Sequence, residues 1–91
     1  MATESVLLKV DGERLPQALQ EVRARLDGAP AEVVLDFSSV QRIDPGALRA
    51  MELIADAVDG KGTKVVLCGV SVEIYKVLKL MKLASRFTFR N

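Results

Sequence analysis

The sequence predicts an α/β fold, with a mainly parallel sheet of four strands and about three helices. Short segments rich in Val and Leu alternate along the chain with longer segments whose apolar residues recur at helical spacing. Glycine and small polar residues separate these segments, as they do at turns. The order β-α-β-α-β-α-β implies parallel strands joined by right-handed crossovers. Because 91 residues is a typical length for one domain, we expect residues 1–91 to form a single domain.

The first half of the chain contains two predicted strands and one predicted helix. We expect residues 5–10 to form the first strand and Asp11-Gly12 to form the turn after it. The helix that follows has one apolar stripe, which consists of Leu15, Leu19, Val22 and Leu26. Residues 31–37 are expected to form a buried strand between the turns Gly28-Ala29-Pro30 and Ser38-Ser39.

The second half contains two helices and two strands. We expect a helix from Pro45 to about residue 59, a strand over residues 64–68, a helix capped by Ser71 that runs to about residue 82, and a short strand over 87–90. On the first of these helices the spacing places Leu53 outward, beside Ala50 and Ala57, and the inward stripe is Ala47, Met51, Ile54, Ala55 and Val58. The core stripe predicted for the next helix is Ile74, Val77, Leu78 and Met81.

Composition and charge disfavour several classes of function. A net charge of +1 with interleaved acidic and basic residues gives no field that would attract nucleic acid. No apolar segment is long enough to span a bilayer, so we expect a cytoplasmic protein without membrane insertion. Histidine is absent and Cys68 is the single cysteine, which argues against a metal site. The chain also has no phosphate-binding loop and no nucleophile-base pair, so we expect neither a cofactor nor catalysis.

The junction between the second strand and the second helix is the main candidate site. Asp44 can cap the helix by accepting hydrogen bonds from first-turn amides, and Pro45 suits the first helical position. Gly46 allows close approach of a ligand or another backbone. These residues are explained either by a good helix start alone or by a docking surface. Arg42 and Arg49 flank the same surface and could pair with an acidic partner, although a solvated role would also explain them.

The segment from Val33 to Leu48 resembles the core signature of STAS domains, the fold of bacterial anti-sigma-factor antagonists. Asp36 and Asp44 have the separation of that family's two aspartates, and Leu48 lies where the family has its leucine. The later segment KGTKVVLCGVSVEIYKVLKLMKLASRF resembles the family's next strand and helix. The resemblance implies a STAS-like fold and a non-catalytic regulatory module that binds a protein such as an anti-sigma kinase.

The chain departs from the family at the residues that a partner kinase phosphorylates. The usual sequence is Asp-Ser-Ser-Gly-Leu, whereas here it is Asp44-Pro45-Gly46-Ala47-Leu48, which contains no hydroxyl. The resemblance therefore implies a docking module that is not switched at this turn. Ser38 and Ser39 are the remaining hydroxyls near the junction, and they are the candidates if phosphorylation occurs at all; satisfying turn amides is the other role open to them.

One group within the family suggests an alternative function. The small STAS subunit of phospholipid-asymmetry ABC transporters typically has Asp-Thr-Gly-Gly-Leu at this turn, and the present sequence is similar to it without a gap. That resemblance implies a partner ATPase in place of a kinase. In either case the expected partner-binding residues are Arg42, Asp44, Pro45, Gly46, Arg49 and Leu53. For Leu53 the other explanation is a single exposed leucine of the kind that is usual on soluble proteins. A homodimer, or another partner that covers the sheet edge, is also possible, because only one strand precedes the first helix. A shortened terminus would explain the uncovered edge equally well.

Overall fold

The computed structural model describes residues 5–26 and 31–90, which form a parallel sheet with three α-helices. The strands are β1 (Ser5–Lys9), β2 (Glu32–Asp36), β3 (Lys64–Cys68) and β4 (Thr88–Arg90). The helices are α1 (Leu15–Ala24), α2 (Pro45–Val58) and α3 (Val72–Leu80), and short 3-10 turns cover Gly12–Arg14 and Ala84–Arg86. The predicted fold class is thus confirmed. The predicted turn at residues 28–30 lies outside the described residues.

The strands follow one another across the sheet in chain order, β1-β2-β3-β4, and every neighbouring pair is parallel. Right-handed crossovers between successive strands place all three helices on the same face of such a sheet. On that face the strand residues Val33, Leu35, Val65 and Leu67 pack into one core with the helices. The predicted apolar stripe of α1 belongs to this core at all four positions.

Within the described part of the chain, no helix lies on the opposite face of the sheet. Val34 and Val66 point to this face and are buried, yet they lie outside the main core. The Arg90 guanidinium and the Glu32 carboxylate, which lie two strands apart on this face, approach to 3.6 Å. Their side chains therefore extend over Val66 and shield it from water. At the edge of the same face, Leu7 is 67% exposed.

The C-terminal end of α3 differs from the prediction. The helix ends at Leu80, and Lys82 adopts a left-handed backbone conformation with φ 61°. The chain then turns back, and Leu83 is buried in the core. Met81 was predicted to lie in the core, and that prediction is wrong, because its side chain is 56% exposed.

The inward face of α2 is wider than predicted. Ala50 was expected to lie outward beside Leu53, but only 5% of it is exposed. Helix α1 packs against α2, so α2 is covered on that side as well as on its sheet side. Ala47, Met51, Ile54 and Ala55 are buried as predicted, and Val58 is half-buried.

Neither a membrane span nor a metal cluster is found in residues 5–26 and 31–90. None of the helices there has both the length and the apolar character that crossing a bilayer requires. Within the same ranges, no three His, Cys, Asp or Glu side chains are grouped as they would be around a metal ion.

Candidate docking site

The start of α2 has the capping geometry that the sequence predicts. The Asp44 backbone is extended, and its Oδ1 accepts a hydrogen bond from the Ala47 amide at 2.7 Å. Pro45 occupies the first helical position and has no amide hydrogen to donate. The Asp44 carboxylate also places a negative charge at the helix start. The turn is therefore satisfied largely by its own residues, and little capacity is left for a phosphate.

Gly46 is exposed, and the fold does not require a glycine there. A Cβ at this position would lie 3.4 Å from Oδ1 of Asp44 and 3.7 Å from Cγ of Pro16, both ordinary contact distances. A glycine in a helix lowers helix stability relative to alanine by about 0.5–1 kcal/mol. Gly46 and the neighbouring Pro45 are both exposed, and Gly46 has no side chain, so another backbone can approach this turn closely.

A groove of about 320 Å³ runs from the start of α2 to the turn after α3. Its lining combines apolar and charged side chains, namely Pro45, Leu48, Arg49, Glu52, Met81 and Leu83. The turn is held beside α2 by an ion pair at 3.0 Å between Arg86 and Asp56. Leu80, next to Met81, is 81% exposed. Sequence reasoning missed this half of the surface, because Met81 was placed in the core.

The remaining predicted site residues lie on different sides of the α2 start. Arg49 and Glu52 form an exposed ion pair one turn into the helix, at the wall of the groove. Arg42 lines a separate depression with Gly12 and Glu13. Leu53 is half-buried, and it is not one of the partly buried side chains that pack against the core. The structure thus brings Pro45 and Arg49 together and places Arg42 apart from them.

Both serines after β2 take part in local hydrogen bonds. The Ser39 hydroxyl donates to the Val10 carbonyl at 2.9 Å and ties this loop to the end of β1. The Ser38 amide donates to Oδ1 of Asp36 at 2.8 Å. Hydrogen bonds from the Ser38 amide and then its hydroxyl hold the pKa of Asp36 below its ordinary value. A phosphate on Ser38 would face this ionised carboxylate, which disfavours it electrostatically.

Comparisons with known proteins agree with this architecture. A family model described as "STAS domain" matches residues 4–91. The crystal structure of a sulfate transporter family protein from Wolinella succinogenes superposes with a TM-score of 0.75 at 19% identity, covering 98% of this chain and 80% of that one. The NMR structure of the protein TM1081 gives a TM-score of 0.76 at 19% identity, covering 100% of this chain and 77% of that one.

At this level of identity the two structures establish similarity of fold. No curated protein sequence matches the chain. The family model spans nearly all of it, and the parallel sheet with α2 capped by Asp44 agrees with the residues that carry the resemblance. The chain therefore belongs to the STAS domain family, whose members generally act as protein-interaction modules.

Proposed function

We propose that this chain is a cytoplasmic, non-catalytic regulatory module of a bacterium, which binds a partner protein in the manner of an anti-sigma-factor antagonist. The first turn of α2 carries this proposal. It is exposed and self-capped, and it borders a groove lined by apolar and charged side chains, yet it has no hydroxyl to phosphorylate. Because this turn cannot be phosphorylated, the contact surface is the same in every molecule. Any regulation of binding then acts on the partner protein.

The proposed docking surface consists of Pro45, Gly46, Arg49, Leu53 and Met81, with Asp44 fixing the shape of the turn. The exposed Arg49–Glu52 pair lines the same groove as the apolar side chains of Pro45 and Met81. Buried apolar anchors surrounded by polar residues carry most of the binding energy in protein interfaces. Arg42 lies on the far side of the turn, where it would contact the rim of a partner.

The alternative function is that of an accessory subunit bound to the ATPase of a phospholipid-transport ABC system. The sequence of the α2 turn favours it, because Asp44-Pro45-Gly46-Ala47-Leu48 fits the spacing of that group's turn without a gap, although Pro45 replaces its threonine. The same surface would serve both functions. The two proposals differ in the fold of the partner, which is a kinase-like anti-sigma factor in one case and an ABC ATPase in the other.

Purification of the tagged chain from its native cells, followed by mass spectrometry and cross-linking, tests both proposals. A kinase-like anti-sigma factor cross-linked near α2 supports the first, and an ABC ATPase cross-linked there supports the second. The same sample reports phosphorylation. A phosphate at Ser38 or Ser39 in a substantial fraction of the chain would contradict an unswitched surface.

Charge substitutions locate the surface once the partner has been purified. Leu53→Glu and Met81→Glu should each weaken binding at least tenfold, because each places a charge in a desolvated contact. Val72→Glu is the matched control, since Val72 is 68% exposed at the other end of α3. Equal affinities for all three variants and the wild type would remove the α2 surface from the proposal.

A further inference from the structure

We infer that the outer edge of β1 is an interface between two copies of this chain, which pair antiparallel about a two-fold axis at Leu7. This surface is separate from the proposed docking surface. Among the described residues, no strand pairs with that edge of the sheet. Edge strands are usually protected by proline, a bulge or an inward charge. The sequence of β1, Ser-Val-Leu-Leu-Lys, has none of these before its last residue.

The backbone of β1 is arranged so that a second copy can pair with it completely. The Val10 amide donates to the Asp36 carbonyl at 3.0 Å, so the backbone groups of Val10 face β2. Because backbone groups alternate along a strand, those of Ser5, Leu7 and Lys9 face outward. An axis at Leu7 pairs Leu7 with itself and Ser5 with Lys9 of the second copy. All the outward groups are then satisfied, by on the order of six hydrogen bonds.

Side chains on the open face of the sheet match in the same register. Leu7, which is 67% exposed, would pack against Leu7 of the second copy. Lys9 would lie opposite Ser5 of the second copy, whose hydroxyl already donates to Glu32 at 3.0 Å. At each end of the paired strands, the ammonium of Lys9 therefore approaches the Glu32 carboxylate of the other copy. Opposite charges face each other in this register, which favours it.

The helix-facing side of β1 also has an unfilled apolar surface. A groove of about 170 Å³ lies along this edge, lined by Val6, Leu8, Val22, Arg25, Leu26 and Val33. Pairing at Leu7 places Val6 opposite Leu8 of the second copy, so that apolar side chains meet over the two grooves. Val6 is 39% exposed in the single chain, and this contact would cover it.

The spacing of the first helices also suits the pairing. Helices packed over neighbouring strand pairs of one continuous sheet lie on the order of 10 Å apart, which is a normal packing distance. The side of α1 near the edge carries the small residue Ala18 and the opposite charges of Glu21 and Arg25. An antiparallel copy of α1 brings positive and negative side chains towards each other. The product is one sheet of double width with its helices on a single face.

Sedimentation velocity of the pure chain between about 10 µM and 1 mM tests the interface. We expect a concentration-dependent monomer–dimer equilibrium, because two paired strands of 5 residues each form a small contact for a permanent dimer. Leu7→Glu should raise the dimer dissociation constant at least tenfold. Thr88→Glu is the control, because Thr88 is exposed on the same sheet face at the opposite edge and should leave the equilibrium unchanged. A chain that stays monomeric up to 1 mM overturns the inference.

Disulfide trapping tests the register without depending on affinity. In a Cys68→Ala background, Leu7→Cys should form a cross-linked dimer rapidly, because residues opposite each other in an antiparallel pair have Cα atoms about 5.5 Å apart. Val6→Cys lies next to it on the same strand but faces Leu8 of the second copy, and it should cross-link slowly. Equal rates for the two variants would contradict an axis at Leu7.

Discussion

The Leu83 amide donates to the Leu78 carbonyl at 2.8 Å across the end of α3, while the Lys82 amide donates to the Lys79 carbonyl at 3.1 Å. These two bonds form a Schellman motif, in which the residue just before the donor of the longer bond adopts a left-handed backbone conformation. That residue is Lys82, although glycine is the usual choice. The motif buries Leu83 and leaves Leu80 and Met81 exposed beside the docking surface.

Replacement of Lys82 by glycine should stabilise the fold. Lys82→Gly removes the Cβ that is unfavourable at φ 61°, and we expect the free energy of unfolding to rise by about 1 kcal/mol. Urea unfolding followed by circular dichroism measures the change. Lys79→Gly serves as the control, because it lies inside α3 and should lower stability by about 1 kcal/mol. Destabilisation by Lys82→Gly would contradict the strain at this turn.

Two substitutions at Asp44 distinguish the contribution of its capping hydrogen bond from that of its negative charge. Asp44→Ala should lower the free energy of unfolding by about 1 kcal/mol, because the Ala47 amide loses its acceptor. Asp44→Asn keeps an acceptor oxygen and should cost much less. Urea unfolding of the three proteins gives the comparison. An equal loss for both variants would show that the carboxylate charge, and not the cap, is what stabilises α2.

Gly46→Ala distinguishes the needs of the fold from the needs of docking. The added Cβ meets only ordinary contacts, so stability should stay constant or rise by about 0.5 kcal/mol. Binding to the purified partner should weaken at least tenfold, because the methyl group separates the two surfaces. Calorimetric titration measures the affinity. Unchanged affinity would mean that no partner backbone approaches this turn closely.

The Asp36 carboxylate should make stability depend on acid pH. Hydrogen bonds from Ser38 lower its pKa in the folded chain below the ordinary 3.8, so the unfolded chain binds the proton more readily. The stabilisation is present above about pH 4 and is lost as the pH falls through the folded pKa. Urea unfolding should show wild type to be more stable than Asp36→Asn at pH 7, with the gap shrinking by pH 3. A gap that is independent of pH would contradict this.

Gly12 should be required by packing. A Cβ there would lie 2.3 Å from the Ser39 carbonyl oxygen and 3.0 Å from its carbon, so Gly12→Ala forces the loops after β1 and β2 apart. We expect a loss of about 1–3 kcal/mol in the free energy of unfolding. Gly60→Ala is a useful comparison, because nothing lies within 4 Å of its Cβ and its cost comes from φ +75° alone. Full tolerance of Gly12→Ala would contradict the close approach of the two loops.

Local chemistry made much of this fold predictable. Asp44 and Ser71 were identified as helix caps because their side chains act on amides three residues away, and both form those bonds. The stripe of α1 depends only on helical spacing. Met81 and Ala50 could not be placed in the same way. The burial of each depends on which part of its helix the neighbouring elements cover.

The groove beside α2 could also be predicted only in part from the sequence. Pro45 and Met81 line one groove although they are far apart in the sequence, and the Arg86–Asp56 pair that holds the turn beside α2 joins two segments that no local pattern links. Sequence reasoning therefore found the half of the surface on α2, whose capping residues are neighbours in the chain. The half after α3 became visible only through tertiary contacts.

The strand order has a consequence for how the molecule opens. Among the described residues, each strand pairs only with the strands next to it in the chain, so each β-α-β unit resembles one step of a repeat array. In residues 5–26 and 31–90, β2 and β3 have a partner on both sides, whereas β1 and β4 have one. Amide hydrogen exchange should therefore be slowest in the two middle strands and faster at both edges. We therefore expect local opening to begin at β1 and β4, and to reach β2, the strand that leads to Asp44, later.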